Sequence, residues 1–158
     1  MAYKPRGDAP DLQKLFADLV RCETRLYNAL NERLRSEHGM ATSQFEFLRF
    51  LRERSGARVA DLAAEFAIGA GAASKGVDRL ERQGWIVRQV NPMDRRSSLL
   101  ALTDEGRRLI ESAERTVTTG LSEMIEGSLG VRSIAAAADA LSQLRSALEH
   151  RRIGLPTG

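Results

Sequence analysis

The segment 91–97 places one carboxylate and two guanidinium groups on consecutive residues, Asp94, Arg95 and Arg96. Because the segment begins with Asn-Pro, a pair that favours turns, we expect these side chains on a tight, exposed hairpin loop. The Asp94 carboxylate can hold a guanidinium, or it can cap the turn by accepting backbone N–H groups. An arginine positioned in this way can enter a narrow minor groove of DNA, where the negative potential is enhanced. The alternative is an ordinary charged surface hairpin.

Further donor side chains lie upstream, in a segment at 70–83 whose apolar residues have helical spacing. A helix fits the major groove of DNA, and its N-terminal half meets the base edges. In that half, Lys75 can donate to bases or phosphates, as can a neighbouring serine, and an alanine can touch a thymine methyl. Arg79 can reach a phosphate one turn further on, or it can lie on a solvated face beside Asp78. The candidate DNA contacts of this helix are Gly71, Ala72, Ser74, Lys75 and Arg79.

The distribution of charge supports the same interpretation. Residues 49–100 contain ten Lys or Arg and six Asp or Glu, a net charge of +4, whereas the rest of the chain has a net charge of −1. A basic centre between near-neutral ends fits a nucleic-acid face carried on a neutral scaffold, although a solvated surface gives the same totals. Thr42, Ser43 and Arg54 are weaker candidates for contacts with phosphates.

The elements that must position these side chains follow from the spacing of apolar residues. Spacings of three and four predict a helix over 11–36, a second helix capped by Thr42-Ser43, and short helices over 58–66 and 70–83. The period then changes to two, which predicts strands at 86–90 and 98–102. Thr103 is expected to cap a helix that continues to an interruption at 129–130, and Ser133 to start the last helix.

This order predicts a mostly α-helical fold with a small β-hairpin wing, a winged helix-turn-helix between long N- and C-terminal dimerisation helices. We expect dimerisation helices over 11–40 and 104–152, a DNA-binding lobe over 41–103, and flexible ends at 1–10 and 153–158. The outer helices carry more apolar surface than so small a body can cover. Packing against a second copy is expected to bury it, which predicts a homodimer.

Other classes of protein have little support in the sequence. No apolar run approaches the ~20 residues of a membrane span, and no secretory signal is evident, so we expect a cytoplasmic protein without a membrane partner. His38 and His150 lie apart from any cluster at metal-binding spacing, and no catalytic motif occurs. Neither a metal, a cofactor nor an enzymatic activity is therefore predicted. The single cysteine, Cys22, is expected to fill space in the core.

The stretches VDRLERQGWI, NPMDRRS and LLALTDEG follow one another at the spacing found in MarR-family regulators, and the chain resembles that family over roughly residues 10–150. The resemblance implies a homodimeric repressor that binds a pseudo-palindromic operator in double-stranded DNA. It also implies that Arg96 is the first choice for the minor-groove arginine, with Arg95 second or contacting a phosphate. The chain departs from the usual family pattern at Gly69 and Ala72, where hydroxyl residues are common. Fewer polar side chains then reach the bases, and more of the specificity is expected from DNA shape.

The resemblance further implies a small aromatic or phenolic effector, bound between the dimerisation helices and the DNA-binding lobe, that releases the DNA. The candidates to line that cleft are Tyr27, His38, Phe45 and Arg49. The alternative is a redox-sensing regulator of the same fold, because one branch of the family senses organic hydroperoxides through a cysteine in its first helix. The residues around Cys22 do not match that branch, and Tyr27 is the only tyrosine close to it in sequence.

Overall fold

The computed structural model describes residues 9–156, and it confirms the predicted order of four helices, a hairpin and two further helices. The expected flexible ends lie mostly outside this range, at residues 1–8 and 157–158. A π-helical turn, Ser122–Glu126, separates the last two helices. The remaining elements are α1 (Leu12–His38), α2 (Thr42–Glu53), α3 (Val59–Glu65), α4 (Ala70–Arg82), β1 (Ile86–Val90), β2 (Ser98–Leu102), α5 (Asp104–Leu121) and α6 (Val131–His150).

Helix α1 is set by capping residues at both ends. The Asp11 carboxylate accepts hydrogen bonds from the backbone N–H groups of Gln13 and Lys14, at 3.0 and 3.1 Å. At the other end, Gly39 has a φ of +65°, a left-handed conformation that glycine adopts without strain. The helix therefore extends two residues beyond the predicted end at 36.

Helix α2 begins one residue earlier than predicted, because its N-cap is Ala41 and not Thr42 or Ser43. The Gln44 side chain makes this start possible by accepting the Ala41 N–H at 2.8 Å. Thr42 is instead buried inside the first turn, where its N–H donates to Asn31 Oδ1 of α1 at 3.1 Å. The threonine thus joins two helices and does not cap one.

Helix α2 forms the centre of the core. Its apolar face belongs to one hydrophobic cluster that also contains residues of α3, α4 and the hairpin, and α5 contributes Ile110, Ala113 and Val117. The buried apolar residues of α2 itself are Phe45, Phe47, Leu48, Phe50 and Leu51. The short helices α3 and α4 and the hairpin therefore share one core.

The hairpin is a two-stranded antiparallel sheet in which Ile86 pairs with Leu102 and Val90 with Ser98. As predicted, Thr103 caps α5, and its Oγ1 accepts the Gly106 N–H at 3.0 Å. Trp85 is buried beneath the hairpin, 7% exposed. Its carbonyl oxygen accepts the Thr103 N–H at 3.0 Å. The start of α5 is therefore packed directly against the start of the hairpin.

The region after α5 differs from the expected uninterrupted helix. The Gly127 N–H donates to the Ser122 carbonyl, the wider spacing of a π-helix. A Cβ at Gly127 would lie 2.4 Å from the Glu123 carbonyl oxygen, so the tight fold of the chain here requires glycine. Helix α6 then begins at Val131, two residues before the predicted Ser133.

The outer helices leave much apolar surface uncovered. On α1, Leu12, Leu15 and Phe16 are 72%, 58% and 67% exposed, and no residue of α6 is buried. Across residues 9–156, no helix combines the length and apolar character needed to cross a bilayer. The uncovered surface is a stripe along long amphipathic helices, which is the pattern expected where another helical surface packs.

Candidate nucleic-acid interface

Helix α4 presents one face to the core and the opposite face to solvent. Ala73, Val77 and Leu80 are fully buried. Helix α2 approaches α4 so closely that a Cβ at Gly76 would lie 2.6 Å from the Phe47 ring. Of the five predicted DNA contacts, Ser74 is half-buried, and the other four are exposed, namely Gly71, Ala72, Lys75 and Arg79. The face is therefore short of polar side chains at its start and basic one turn later.

The hairpin loop is held by two side-chain caps. Asp94 Oδ1 accepts the backbone N–H of Arg96 at 3.0 Å, and the buried Asn91 accepts the N–H of Met93 at 3.0 Å through Oδ1. Of the two roles left open for Asp94, the structure shows the turn cap and not a bond to a guanidinium. Arg95 and Arg96 are both exposed, and neither takes part in an ion pair among the described residues. Their charges are thus presented to solvent from a fixed loop.

Arg88 connects the hairpin to α4. Its guanidinium lies 2.6 Å from Asp78 Oδ1 and 3.2 Å from Glu81 Oε1. The hydrogen bond that Arg88 donates to Asp78 raises the pKa of Arg88 above its usual value, and the Glu81 charge acts in the same direction. Asp78 therefore pairs with the strand residue and not with Arg79, and the basic face of α4 is left uncompensated. Sequence reasoning missed Arg88, because its partners are ten and seven residues away on a different element.

We expect Arg88→Met to lower the free energy of unfolding by about 1 kcal/mol, after allowance for solvent screening of the two half-exposed carboxylates. The methionine keeps the apolar stem and leaves Asp78 and Glu81 without their cation. Urea denaturation followed by circular dichroism measures the change. Arg49→Met is the matched control, because Arg49 forms its one ion pair within residues 9–156 with Glu53, on the exposed face of the same helix, and is only a nearby charge to Glu46. Equal losses in the two variants would contradict a structural role for Arg88.

Two further arginines lie near the hairpin. Arg54 ends α2, with its guanidinium 5.2 Å from the centre of the Phe50 ring. Arg58 was not predicted, and it donates to Asp61 through both its backbone N–H (2.7 Å) and its guanidinium. The hydrogen bond to Asp61 raises the pKa of Arg58, with a smaller contribution from Asp94 on the hairpin loop. An isolated bridge between Ala57 and Leu100 holds this segment beside β2, a long-range pairing that the sequence pattern does not reveal.

A cavity of about 1080 Å³ lies between α1, α2 and α4, at the boundary of the outer helices and the lobe. Its wall is mainly apolar, including Leu19, Leu26 and Phe47, and its rim includes the Lys75 and Arg79 side chains of α4. Ser43, predicted as a DNA contact, also lines it. The size is in the range of small-molecule sites, which bury a ligand against apolar walls and orient it with a few polar groups.

Of the four predicted effector residues, the structure brings only Tyr27 to this cavity. Phe45 is in the core, 2% exposed. His38 faces α5, where its Nε2 lies 2.8 Å from Thr116 Oγ1. Arg49 lies on the outer face of α2 and pairs with Glu53. The cavity is lined mainly by α1, α2 and α4, and the spacing of apolar residues could not show which face of each helix borders it.

Two residues of the cavity wall were misjudged or missed. Cys22 is exposed and lines the cavity, so the expectation that it fills the core is wrong. Glu46 lies in the same wall, and burial raises the pKa of its carboxyl, opposed by the nearby Arg49 charge. Among the described residues, no three His, Cys, Asp or Glu side chains are grouped as metal ligands would be.

Glu46→Gln is expected to stabilise the protein at neutral pH. A carboxyl whose pKa is raised by folding costs stability when ionised, so wild-type stability falls as pH rises above the ordinary value of 4.5. The glutamine has no charge to bury, and the variant should therefore lose its advantage as pH falls below that value. Urea midpoints at several pH values between 4 and 8 measure the difference. An advantage that persists undiminished in acid would assign it to packing and not to the charge.

Comparisons with known proteins bear on this arrangement. A family model described as the MarR family matches residues 38–97. The chain is 29% identical over 97 residues to the uncharacterised HTH-type transcriptional regulator YkoM of Bacillus subtilis (strain 168), an alignment covering 60% of this chain and 63% of YkoM. The chain thus spans a little under two thirds of that relative's length.

Two solved structures extend the likeness to the whole fold. Sco3205, a MarR family transcriptional regulator from Streptomyces coelicolor solved in complex with DNA, has a TM-score of 0.81 at 23% identity over 97% of each chain. A cysteine-to-serine mutant of MarR from E. coli, complexed with operator DNA, has a TM-score of 0.73 at 25% identity, over 85% of this chain and 99% of that one. The fold with its long outer helices is therefore shared with both proteins.

Proposed function

We propose that this chain is a winged helix-turn-helix transcription regulator of the MarR family and that it binds an operator in double-stranded DNA as a homodimer. The match of residues 38–97 to the MarR family model supports the family. The observation that carries the proposal is the set of exposed cations on α4 and on the hairpin that form no ion pair within the part of the chain that the structure describes. Lys75 and Arg79 project from the exposed face of α4, and the capped loop of the hairpin, whose first strand is tied to α4 by Arg88, presents Arg95 and Arg96 to solvent. The mutant E. coli MarR, which shares this fold, was solved with operator DNA.

The homodimer is supported by the uncovered apolar stripes of α1 and α6. Leu141 and Leu144 of α6 are each 48% exposed, and Leu19 and Val20 of α1 are 38% and 44% exposed. A two-fold pairing of these helices covers both stripes at once, because the same surface is used by each copy. Two copies of α4 then lie in successive major grooves, which requires half-sites about one helical turn apart, roughly 34–36 Å. A pseudo-palindromic operator follows from that symmetry.

Release by a small effector is supported by the cavity beside α4. The charged lining residues are three cations and two carboxylates, a net excess of one positive charge: Arg35, Lys75, Arg79, Glu23 and Glu46. An aromatic or phenolic anion fits this lining when its ring packs against Leu19 and Leu26 and its charge approaches Lys75 or Arg79. Such a ligand favours whichever spacing of the two α4 helices binds it best, and it releases DNA if that spacing does not match adjacent grooves. The protein then acts as a repressor that a ligand inactivates.

Fluorescence anisotropy tests the DNA-binding proposal. The protein is titrated onto a labelled duplex from the intergenic region upstream of its own gene and onto a random duplex, at two salt concentrations. We expect tighter binding to the upstream duplex by ~10³-fold or more, weakening steeply with salt. If neither this duplex nor a pool selected from random sequences is bound specifically, the proposal is wrong.

A redox-sensing regulator is the second candidate, and the exposure of Cys22 inside the cavity favours it. Oxidation there adds a polar group to an apolar wall and changes the same boundary that an effector would occupy. The two candidates are separated by treating the protein–DNA complex with an organic hydroperoxide. Release that is lost in Cys22→Ser supports sensing by the thiol, and release by phenolic anions that survives in Cys22→Ser supports the effector.

A further inference from the structure

Two apolar side chains at the tip of the hairpin are almost fully exposed. Met93 is 91% exposed and Val90 is 79% exposed, more than any other large apolar residue of the lobe 41–103. Some other apolar residues of the hairpin are buried against the lobe, since Ile86 on β1 and Leu100 on β2 are each 1% exposed. The near-complete exposure of Met93 and Val90 is therefore particular to the tip. Exposed apolar side chains are common singly, so the exposure of these two carries weight only together with what surrounds them.

The tip is held in place from within. The Met93 N–H donates to Asn91 Oδ1 at 3.0 Å, and the Asn91 amide donates to Ser97 Oγ at 2.9 Å across the loop. Asn91 is itself buried, 7% exposed, although its neighbours in the loop are open to solvent. Because the backbone of the tip is held in place, a contact by Met93 has to order the side chain but not the backbone.

The surroundings of Met93 specify the chemistry of that surface. Two exposed cations, Arg95 and Arg96, follow Met93 in the loop after Asp94. Val90 lies on the same face of β1 as Arg88, since alternate residues of a strand share a face, and Arg88 reaches α4. Val90 therefore lies on the face of β1 that turns toward α4, and Met93 lies two and three residues before the exposed cations Arg95 and Arg96. The minor groove of DNA accepts both kinds of side chain, because its deoxyribose walls are apolar and its phosphates are negative.

We propose that Met93, supported by Val90, packs against the deoxyribose walls of the minor groove beside Arg96. The contact rests on the proposed operator binding and deepens it. The first turn of α4 contains Gly71 and Ala72 and offers few polar contacts to bases, and an apolar contact by Met93 adds a dependence of affinity on the width of the groove. An apolar side chain gains most where the groove walls are close enough to touch it on both sides. The wing then selects sites by the shape of the groove as well as by its negative potential.

The test uses the duplex that the wild-type protein enriches from a random-sequence pool. Met93→Ala is expected to weaken binding about tenfold, the scale of losing a partly buried methionine contact, without changing the dependence of affinity on salt. Arg96→Ala, by contrast, lowers that dependence because it removes a cation. Hydroxyl-radical footprinting should show that Met93→Ala exposes the sugars under the wing. Met93→Leu, which keeps the apolar volume, should retain affinity to within about twofold.

Three other outcomes would contradict the proposed contact of Met93. Unchanged affinity and footprint in Met93→Ala, with wild-type binding intact, would refute the contact and leave operator binding standing. A weaker salt dependence in Met93→Ala would show that the substitution displaces a neighbouring arginine from a phosphate, so that the methionine positions a cation and does not contact the groove walls. Failure of the wild-type protein to enrich any duplex would refute both the contact and the proposed function.

Discussion

Replacing Gly106 by alanine is expected to lower the free energy of unfolding by about 3 kcal/mol. A Cβ at Gly106 would lie 2.0 Å from the Trp85 carbonyl oxygen and 2.9 Å from its carbonyl carbon. These are backbone atoms, so no side-chain rotation relieves the overlap. The Trp85 carbonyl also accepts the Thr103 N–H, and either α5 or the start of the hairpin must therefore move. Thermal or urea denaturation measures the loss.

Gly71→Ala is the matched control for this substitution. Both glycines are helical, but no atom lies within 4 Å of a Cβ at Gly71. Alanine has the higher helix propensity, so this variant is expected to be as stable as wild type or more stable by up to about 1 kcal/mol. If Gly106→Ala behaved like Gly71→Ala, the close packing of α5 on the hairpin would not exist in solution.

Replacing Arg96 by alanine is expected to weaken binding to the operator by about 1–3 kcal/mol, the scale of a good groove contact. The Asp94 carboxylate caps the turn through the Arg96 backbone N–H, a bond that alanine preserves. The loop should therefore keep its shape, and the variant should lose only the exposed guanidinium. Anisotropy titrations on the selected duplex, at several salt concentrations, measure the affinity and its salt dependence.

Arg132→Ala controls for the general effect of removing a positive charge. Arg132 is exposed near the start of α6 and belongs to the outer helices, not to the lobe. Its loss should change affinity by a few tenths of a kcal/mol at most, through long-range electrostatics alone. An Arg96 variant with full affinity and an unchanged oligomeric state would exclude Arg96 from the DNA interface.

The parts of the structure that could be predicted from the sequence are those specified by neighbours in the chain. The Thr103 cap and the Gly39 stop each depend on residues within five positions of one another, and each hairpin strand shows its alternation within five residues. The cap of α2 was misplaced because Thr42 is drawn inward by Asn31 of another helix. Local propensity favours a threonine cap, and the tertiary hydrogen bond outweighs it.

The candidate site divides in the same way. The loop of Asp94 and Arg96 is local, and its turn cap was one of the two roles expected. Arg88, by contrast, acts through an ion pair between elements, which composition and spacing do not reveal. The cavity wall also depends on the orientation of each helix about its own axis where α1, α2 and α4 pack together. Neighbouring residues of a helix point about 100° apart, so a small error in that orientation moves a side chain from the cavity wall to the core. This explains why Phe45 and Cys22 were each assigned to the environment that the other occupies.

The rim of the cavity has a thermodynamic consequence. Lys75 and Arg79 lie on the exposed face of α4 and also border the cavity, so the same two charges serve both proposed ligands. Coupling between two binding events is reciprocal. If an anionic effector reduces the affinity for the operator by a given factor, the operator must reduce the affinity for the effector by that factor. Protein held on DNA would then respond to the effector only at higher concentrations than free protein, and the induction threshold would depend on how many operators are occupied.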